Sequence, residues 1–485
     1  MHSTLSAYWQ VLVVSVVLSI VVCFFNYDIP AMGIFKYYQC FAALIASGFE
    51  STAHTCDSST FPMWGYGWLL LLSSSKLVLL FLQCLFAIVS ALFILTAIRP
   101  ALRLNAFQFN VLMWLVVLSL PWYALSSVLW PHSVATSLLL TSLGLLIKAQ
   151  GSESPRLRLW VLSGLSFGIM LNFRSDYILL PAGLLLIVLL FDNRPLLMKT
   201  KMLIAWCAPV LLTMTPWGIY TQHTTGHYLQ TSTNSGHVLY LSLGQLPGNS
   251  WGITPRDEDP SMAALLENEF GIPTSSLTYE ADVVLKAKFR ELAFASPGEY
   301  ARKVFHNIGS LLVGGTYAGA FHEQKTCQPN CLNKYVNVEE TITSQSQVAR
   351  GLLTGKLSIN SDLAFTDYIR LTLLSASVAQ SLFVAFFGFL FSILLLPYCL
   401  RERNVPMLLL LAVLGYQMAL GSFTFFMRTY SSSVYVLLLI VIVCGSRHAF
   451  EIGCRLMNVR KDGCSSNMTM GDLSESNSHS GSGPR

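Results

Sequence analysis

Apolar runs approaching twenty residues recur through this chain, and one long polar interval, residues 220–367, interrupts them. Roughly 20 apolar residues carry a helix across a bilayer. With 53% hydrophobic and only 11% charged residues and a mean hydropathy of +0.55, the chain reads as an integral membrane protein. The expected fold is an all-α polytopic bundle of about ten to twelve transmembrane helices with a smaller extracytoplasmic domain. The polar interval holds Trp, His, Gly, paired acids and two close cysteines. A pore alone has no need of such a segment, whereas an enzyme or receptor working at the membrane surface does.

The runs fall at residues 8–25, 64–98, 106–120, 133–147, 159–173, 177–191, 202–220, 371–399, 407–423 and 431–444. The second is too long for one upright helix. It is either tilted or a surface helix that runs into a span near Lys76. Residues 308–320 are a further candidate insertion. Four regions follow: an N-terminal bundle, 1–219, with a first outer loop at 26–63; the polar segment 220–367; C-terminal spans, 368–446; and a tail, 447–485.

Orientation follows from the basic residues. Arg99 and Arg103, Lys148, Arg156 and Arg158, Arg194, Lys199 and Lys201, and Arg401 and Arg403 all fall in short turns on one side. The net charge of +5 is thereby assigned to loop placement, not to nucleic-acid binding. Both termini are expected inside, with the 26–63 loop and the polar segment facing the periplasm or exterior of an inner or plasma membrane. No small-residue cleavage site follows the first run, which therefore reads as an uncleaved anchor. The tail beyond Gly463, rich in Ser, Asn and Gly, is expected to be disordered, and Asn467 in its Asn-Met-Thr triplet to be unmodified on the inner side.

Four of the eleven cysteines lie in outward segments: Cys40, Cys56, Cys327 and Cys331. An oxidising exterior permits Cys40–Cys56 and Cys327–Cys331 pairs. A metal site at Cys327 and Cys331 with His322 is the rival, but no second cysteine pair accompanies it.

Ionisable residues near a bilayer are costly and are candidates for function. Lys76 interrupts the second run, Arg174 and Asp176 sit at the outer tip of a hairpin, and Arg428 stands just before the last span. Each is bland if it only snorkels to water. Cations converging at one interface would suit an anionic lipid headgroup, with Arg gripping phosphate through its planar fork. Asp28, directly after the first span, is held by a rigid helix end and is the candidate general base; Glu50 and Asp57 share its loop. Residues 36–46 read as an interfacial helix with Phe41, Leu44 and Ile45 on one side. Trp64, Tyr66 and Trp68 read as a headgroup-level aromatic belt. The small and polar residues at 232–236 and 244–249 predict turns able to approach a sugar or phosphate closely. Asp257, Glu258 and Asp259 read as a solvated acidic loop, with a divalent cation as the weaker reading. Residues 276–305 carry a helical pattern broken at Ser296-Pro297-Gly298. No Walker loop, dinucleotide fingerprint, zincin motif or nucleophile elbow is present.

Three stretches carry a family resemblance. One is the glycine-containing run from Leu162 to Arg174; another leads from Pro216-Trp217 to Gly236; the third runs from Glu280 to Ala293 with Pro297 and Tyr300. With Arg428 before the last span, they resemble polytopic GT-C-type glycosyltransferases that use polyprenyl-phosphate sugars, in the superfamily of protein O-mannosyltransferases and aminoarabinose transferases. The resemblance implies a polyprenyl-phosphate-linked sugar donor, a glycan, lipid or protein acceptor, and an aspartate in the first outer loop acting on the acceptor hydroxyl. Asp28 would be that base, and Arg174 and Arg428, assisted by Lys76, would hold the donor phosphate. No metal or other cofactor is called for. The sequence departs from the family pattern in the longer spacing after Asp28 and in Pro131-His132-Ser133, which replaces a second acid at the start of the fourth span. The alternative class is a non-enzymatic lipid flippase or transporter, which would place ionisable residues at mid-span.

Overall fold

The computed structural model describes residues 2–27, 35–48, 60–151, 156–314, 364–426 and 434–456, with 336–337, 351, 354 and 358–359. The chain runs α1 (His2–Asn26), α2 (Phe35–Ala46), α3 (Gly65–Leu70), α4 (Lys76–Ala101), α5 (Ala106–Val117), α6 (Leu120–Ser126), α7 (Pro131–Gln150), α8 (Leu157–Phe173) and, after a 3₁₀ turn at Ser175–Tyr177, α9 (Leu180–Phe191). It continues with α10 (Leu196–Thr225), α11 (Ser235–Leu243), α12 (Pro260–Phe270), α13 (Tyr279–Ala295), α14 (Pro297–Gly314), α15 (Phe365–Arg401), α16 (Val405–Phe423) and α17 (Tyr435–Leu456). Val336–Asn337 and Ser358–Ile359 form a short antiparallel pair.

This is an all-α polytopic membrane protein. Among the described residues, six helices are long and apolar enough to cross a membrane: α1, α4, α7, α10, α15 and α16. The pair α5–α6, bent by 47° at a break ahead of Pro121, makes a seventh, and three shorter apolar helices stand beside them. The long run at 64–98 resolves as the short helix α3, a polar break at Ser73–Ser75, and the span α4 starting at Lys76.

Without a hydrophobic drive between helices in lipid, close packing and interhelical hydrogen bonds hold such a bundle. The α4, α7, α8 and α10 helices pack in series. A Cβ on Gly164 of α8 would meet the Trp206 carbonyl oxygen at 2.1 Å, and one on Gly168 would meet the Thr213 hydroxyl at 1.9 Å. Ser142 and Ser163 exchange hydrogen bonds with each other's carbonyls at 2.9 and 2.8 Å, and the Trp206 indole donates to Ser163 Oγ at 3.0 Å. The glycine-rich run that suggests a family motif is thus accounted for by helix packing.

The small residues at 232–236 have a similar explanation. Gly236 lies against the Asp282 backbone and donates its N–H to Asp282 Oδ1 at 2.5 Å. The Thr233 hydroxyl donates to Leu277 O at 2.8 Å. The expected sugar-approaching turn is occupied by α13. Residues Tyr240, Leu243, Ile253, Met262, Leu266 and Leu285 form a small separate core there.

Candidate functional site

Helix α8 ends at Arg174, whose extended backbone (φ −147°, ψ 103°) turns the chain out of the helix. Its side chain is only 5% exposed. A buried guanidinium must be paired, and Asp176, two residues on, supplies the carboxylate. Arg174 Nε donates to Asp176 Oδ1 at 3.0 Å, and Nη2 donates to Oδ2. The guanidinium also lies over the Tyr177 ring, 5.2 Å from its centroid.

Helix α16 meets this turn directly, and buried polar rings of α2 and α7 pack near the same end. From α16, Tyr416 stacks on Tyr177 with centroids 5.9 Å apart and donates its hydroxyl to the Asp176 carbonyl. From α2, buried Tyr38 packs edge-on against Tyr66, centroids 5.1 Å apart, and Tyr66 donates to Gln83 Oε1 of α4 at 2.8 Å. Burial pushes the Tyr38 phenol well up from its ordinary value, and the Arg174 charge pulls it the other way. From the start of α7, buried His132 packs tilted against Trp130, ring centroids 4.2 Å apart. The arrangement is a buried cation oriented by Asp176 and Tyr177 at the end of α8, with Tyr416 stacked behind Tyr177.

Lys76 opens α4 at that end. It is half-buried, donates Nζ to the Tyr27 carbonyl and lies 5.3 Å from the Tyr27 ring centroid. Asn26, the residue before Tyr27, is pinned to Ser127 Oγ at 2.5 Å, so the end of α1 is fixed just ahead of position 28. Asp28, Glu50, Asp57 and Arg428 lie outside the described residues. So do Cys56, Cys327, Cys331, His322 and the tail from 457 on. Cys40 is disulfide-bonded.

Two expectations change. Of the ring cluster at 64–68, Trp68 is 49% exposed, as a belt residue should be, whereas Tyr66 is fully buried and Trp64 stacks on Tyr220 at 5.8 Å and donates to Asn172 at 2.7 Å. These two rings are packing, not belt. The acids at 257–259 are not a cation site. Asp259 caps α12, accepting from Met262 N at 2.9 Å, and Asp257 Oδ1 meets His237 Nε2 at 3.0 Å. Among the described residues no group of three potential metal donors occurs.

One buried cation is absent from the candidates read from the sequence. Lys303 of α14 is fully buried, and its ammonium donates to the carbonyls of Ser422 (3.2 Å), Phe423 (3.1 Å) and Thr424 at the end of α16. Burial pushes this ammonium down to about 7, against the pull of the carbonyls and the negative helix end. Asn307 donates to Gln245 Oε1 at 3.1 Å, and Gln245 in turn holds both the N–H and the carbonyl of Phe426. The segment leading to Arg428 is therefore clamped by α14 and by the turn after α11. The spacing 303, 307, 311 is the signal that was available, since these three share one helix face.

No family model matches the sequence, and no curated protein matches it. Among solved structures, the chain is similar to a crystal structure of ArnT from Cupriavidus metallidurans in the apo state, at 14% sequence identity and a TM-score of 0.35, over 92% of this chain and 80% of that one.

Proposed function

We propose that the protein is a membrane glycosyltransferase that moves a sugar from a polyprenyl-phosphate donor to an acceptor hydroxyl, at the end of the bundle where Arg174 lies. One observation carries this reading: a guanidinium 5% exposed, oriented by Asp176 and Tyr177, just past the end of α8. Buried and preoriented donors are what stabilise a departing phosphate, and the planar fork of Arg suits it. Arg428 would join Arg174. Supporting this, α16, whose end leads toward Arg428, is tied to Asp176 through Tyr416 and to α14 through Lys303. Lys76, resting on Tyr27, would assist from the end of α1. Asp28, next in sequence, would take the acceptor proton as its oxygen attacks the anomeric carbon, while the lipid phosphate leaves with the bonding electrons. The guanidiniums and the ammonium named would balance the charge of the leaving phosphate, so no metal is called for in the proposed step.

The charges also bear on the rival class. Among the described residues, the buried Asp, Lys and Arg side chains (Arg174, Asp192, Asp259, Asp282 and Lys303) lie at helix ends or in the 235–311 segment. None sits in the middle of a candidate span, where a transporter's coupling residues belong. The deciding experiment incubates purified protein with polyprenyl-phosphate sugars labelled in the sugar. Label recovered on an acceptor supports transfer. Label that only crosses a proteoliposome membrane, still attached to its lipid, would replace the reading with a flippase.

A further inference from the structure

At the end of the bundle opposite Arg174, two cavities adjoin beneath the basic turns. The first, of about 380 Å³, opens between the α4–α5 turn, the end of α15 and α17. Its floor is apolar: Leu395, Cys399 and Met407 are each under 5% exposed. Its lining also holds Arg103, Arg447 and His448 against one carboxylate, Glu402. Arg447 Nη1 donates to the Arg103 carbonyl at 3.2 Å, which ties the two arginines together. The second cavity, of about 490 Å³, shares Ala101 and Asn404 with the first and carries Arg194 and Arg403 against Asp192.

Backbone geometry singles out the same place. Among the described residues, two that are not glycine have positive φ: Arg103 at 51° and Arg403 at 49°. Each follows the end of a helix, and in each turn a backbone bond of 3.0 Å closes behind it, Leu104 N to Arg99 O and Asn404 N to Cys399 O. Glycine is the unstrained residue for this left-handed position. Arginine there, twice, lining adjoining cavities, is a strained choice of the kind that marks function. Placement on the positive side of a membrane accounts for basic residues in these turns, but not for their left-handed backbone or for the hollow they line.

We infer that the first cavity binds the phosphate of an anionic phospholipid, with Arg103 and Arg447 as its ligands. Phosphate-bearing chemistry follows from the two arginines that line this one cavity against a single carboxylate, Glu402. A lipid, in preference to a free anion, follows from the apolar floor and from the flank of α15 beside it, where Ile393, Leu396 and Leu400 are 61%, 43% and 42% exposed and offer a bed for an acyl chain. Basic hollows between spans are suited to such headgroups. The site is independent of the reaction proposed for the other end.

The test is native mass spectrometry of the full chain released from neutral detergent, with phosphatidylglycerol or phosphatidylcholine added. The expected result is retention of one phosphatidylglycerol with a preference of about tenfold or more over phosphatidylcholine, matching one to two charge-assisted contacts. Arg103→Gly combined with Arg447→Gln should abolish the preference. Lys201→Gln, which removes an exposed charge outside the cavity at the same end, should leave it intact. Arg103→Gly also relieves the left-handed strain, so this variant should melt no lower than the wild type and carries the test by itself if Arg447→Gln unfolds the protein. Equal retention of both lipids, or unchanged preference in Arg103→Gly, would overturn the assignment. So would displacement of phosphatidylglycerol by millimolar inorganic phosphate, which would make the cavity a free-anion site.

Discussion

Arg174 is tucked behind Asp176 and Tyr177 at one end of the bundle, while Arg103 and Arg403 stand exposed on turns at the other. Taking a guanidinium out of water is expensive unless a carboxylate and hydrogen bonds replace the solvent, so the pairing around Arg174 is required by its burial. The exposed arginines bear no such cost; what marks them is backbone strain and the adjoining cavities that they line, one each. In sequence all three stand at the ends of apolar runs, Arg174 without a basic neighbour, Arg103 and Arg403 close to Arg99 and Arg401. Burial, with the carboxylate and ring that accompany it, sets Arg174 apart from the other two.

The largest effect is expected where burial is deepest. Arg174→Ala should lower sugar transfer by about a hundredfold or more, because a preorganised donor is lost in a water-poor site. Arg174→Lys should recover little, since an ammonium cannot reproduce the planar fork. Initial rates with labelled donor measure both. The matched loss at the other end, Arg103→Gly, should leave the transfer rate within about twofold; a collapse there would break the contrast between the ends. Asp28→Asn should also fall by roughly a hundredfold with donor binding little changed. Near-normal turnover, with loss in Glu50→Gln or Asp57→Asn, would transfer the role to one of those acids.

Stability should follow how tightly the regions are packed. Gly164→Ala forces a Cβ into the Trp206 backbone and should cost about 1–3 kcal/mol by overpacking. Gly183→Ala in α9, with nothing within 4 Å of the new Cβ, should instead stabilise by about 0.5–1 kcal/mol. Thermal unfolding in detergent compares the two, and equal shifts would contradict the close approach of α8 and α10. Lys303→Met should cost about 1–3 kcal/mol, because three carbonyls at the end of α16 lose their donor.

The smallest effect concerns His237 and Asp257. The bond from His237 holds the Asp257 carboxyl below its ordinary value. A depressed carboxylate contributes stability above its unfolded pKa, near 4, and loses it as pH falls through the lower folded value. The melting temperature of wild type relative to Asp257→Asn should therefore be highest near neutral pH and converge below about pH 4. Because Asp257 is largely exposed, the gap should be slight, and a gap that widens in acid would reverse the assigned sign.

Much of the bundle is legible in the chain because length and apolarity dictate spans. Residues 36–46 form the expected helix, with Phe41, Leu44 and Ile45 buried together. The break at Ser296-Pro297-Gly298 divides α13 from α14. Arg174 is visible as a lone cation at a span end, with Asp176 two residues on. Its tie to Tyr416 is not: that residue lies on α16, some 240 positions on, and does not stand out from its apolar context. Proximity across a bundle leaves no spacing in sequence. The glycines at 164 and 168 are visible in sequence, but the close approach of α10 that requires them is not.

The central claim is that the buried arginine, and not the exposed ones, meets the donor. Binding of a polyprenyl phosphate without its sugar, measured by titration against wild type, Arg174→Ala and Arg103→Gly, tests it most directly. The account predicts that Arg174→Ala weakens binding by about tenfold or more while Arg103→Gly binds as wild type. Wild-type affinity in Arg174→Ala, with the loss appearing in Arg103→Gly, would contradict it.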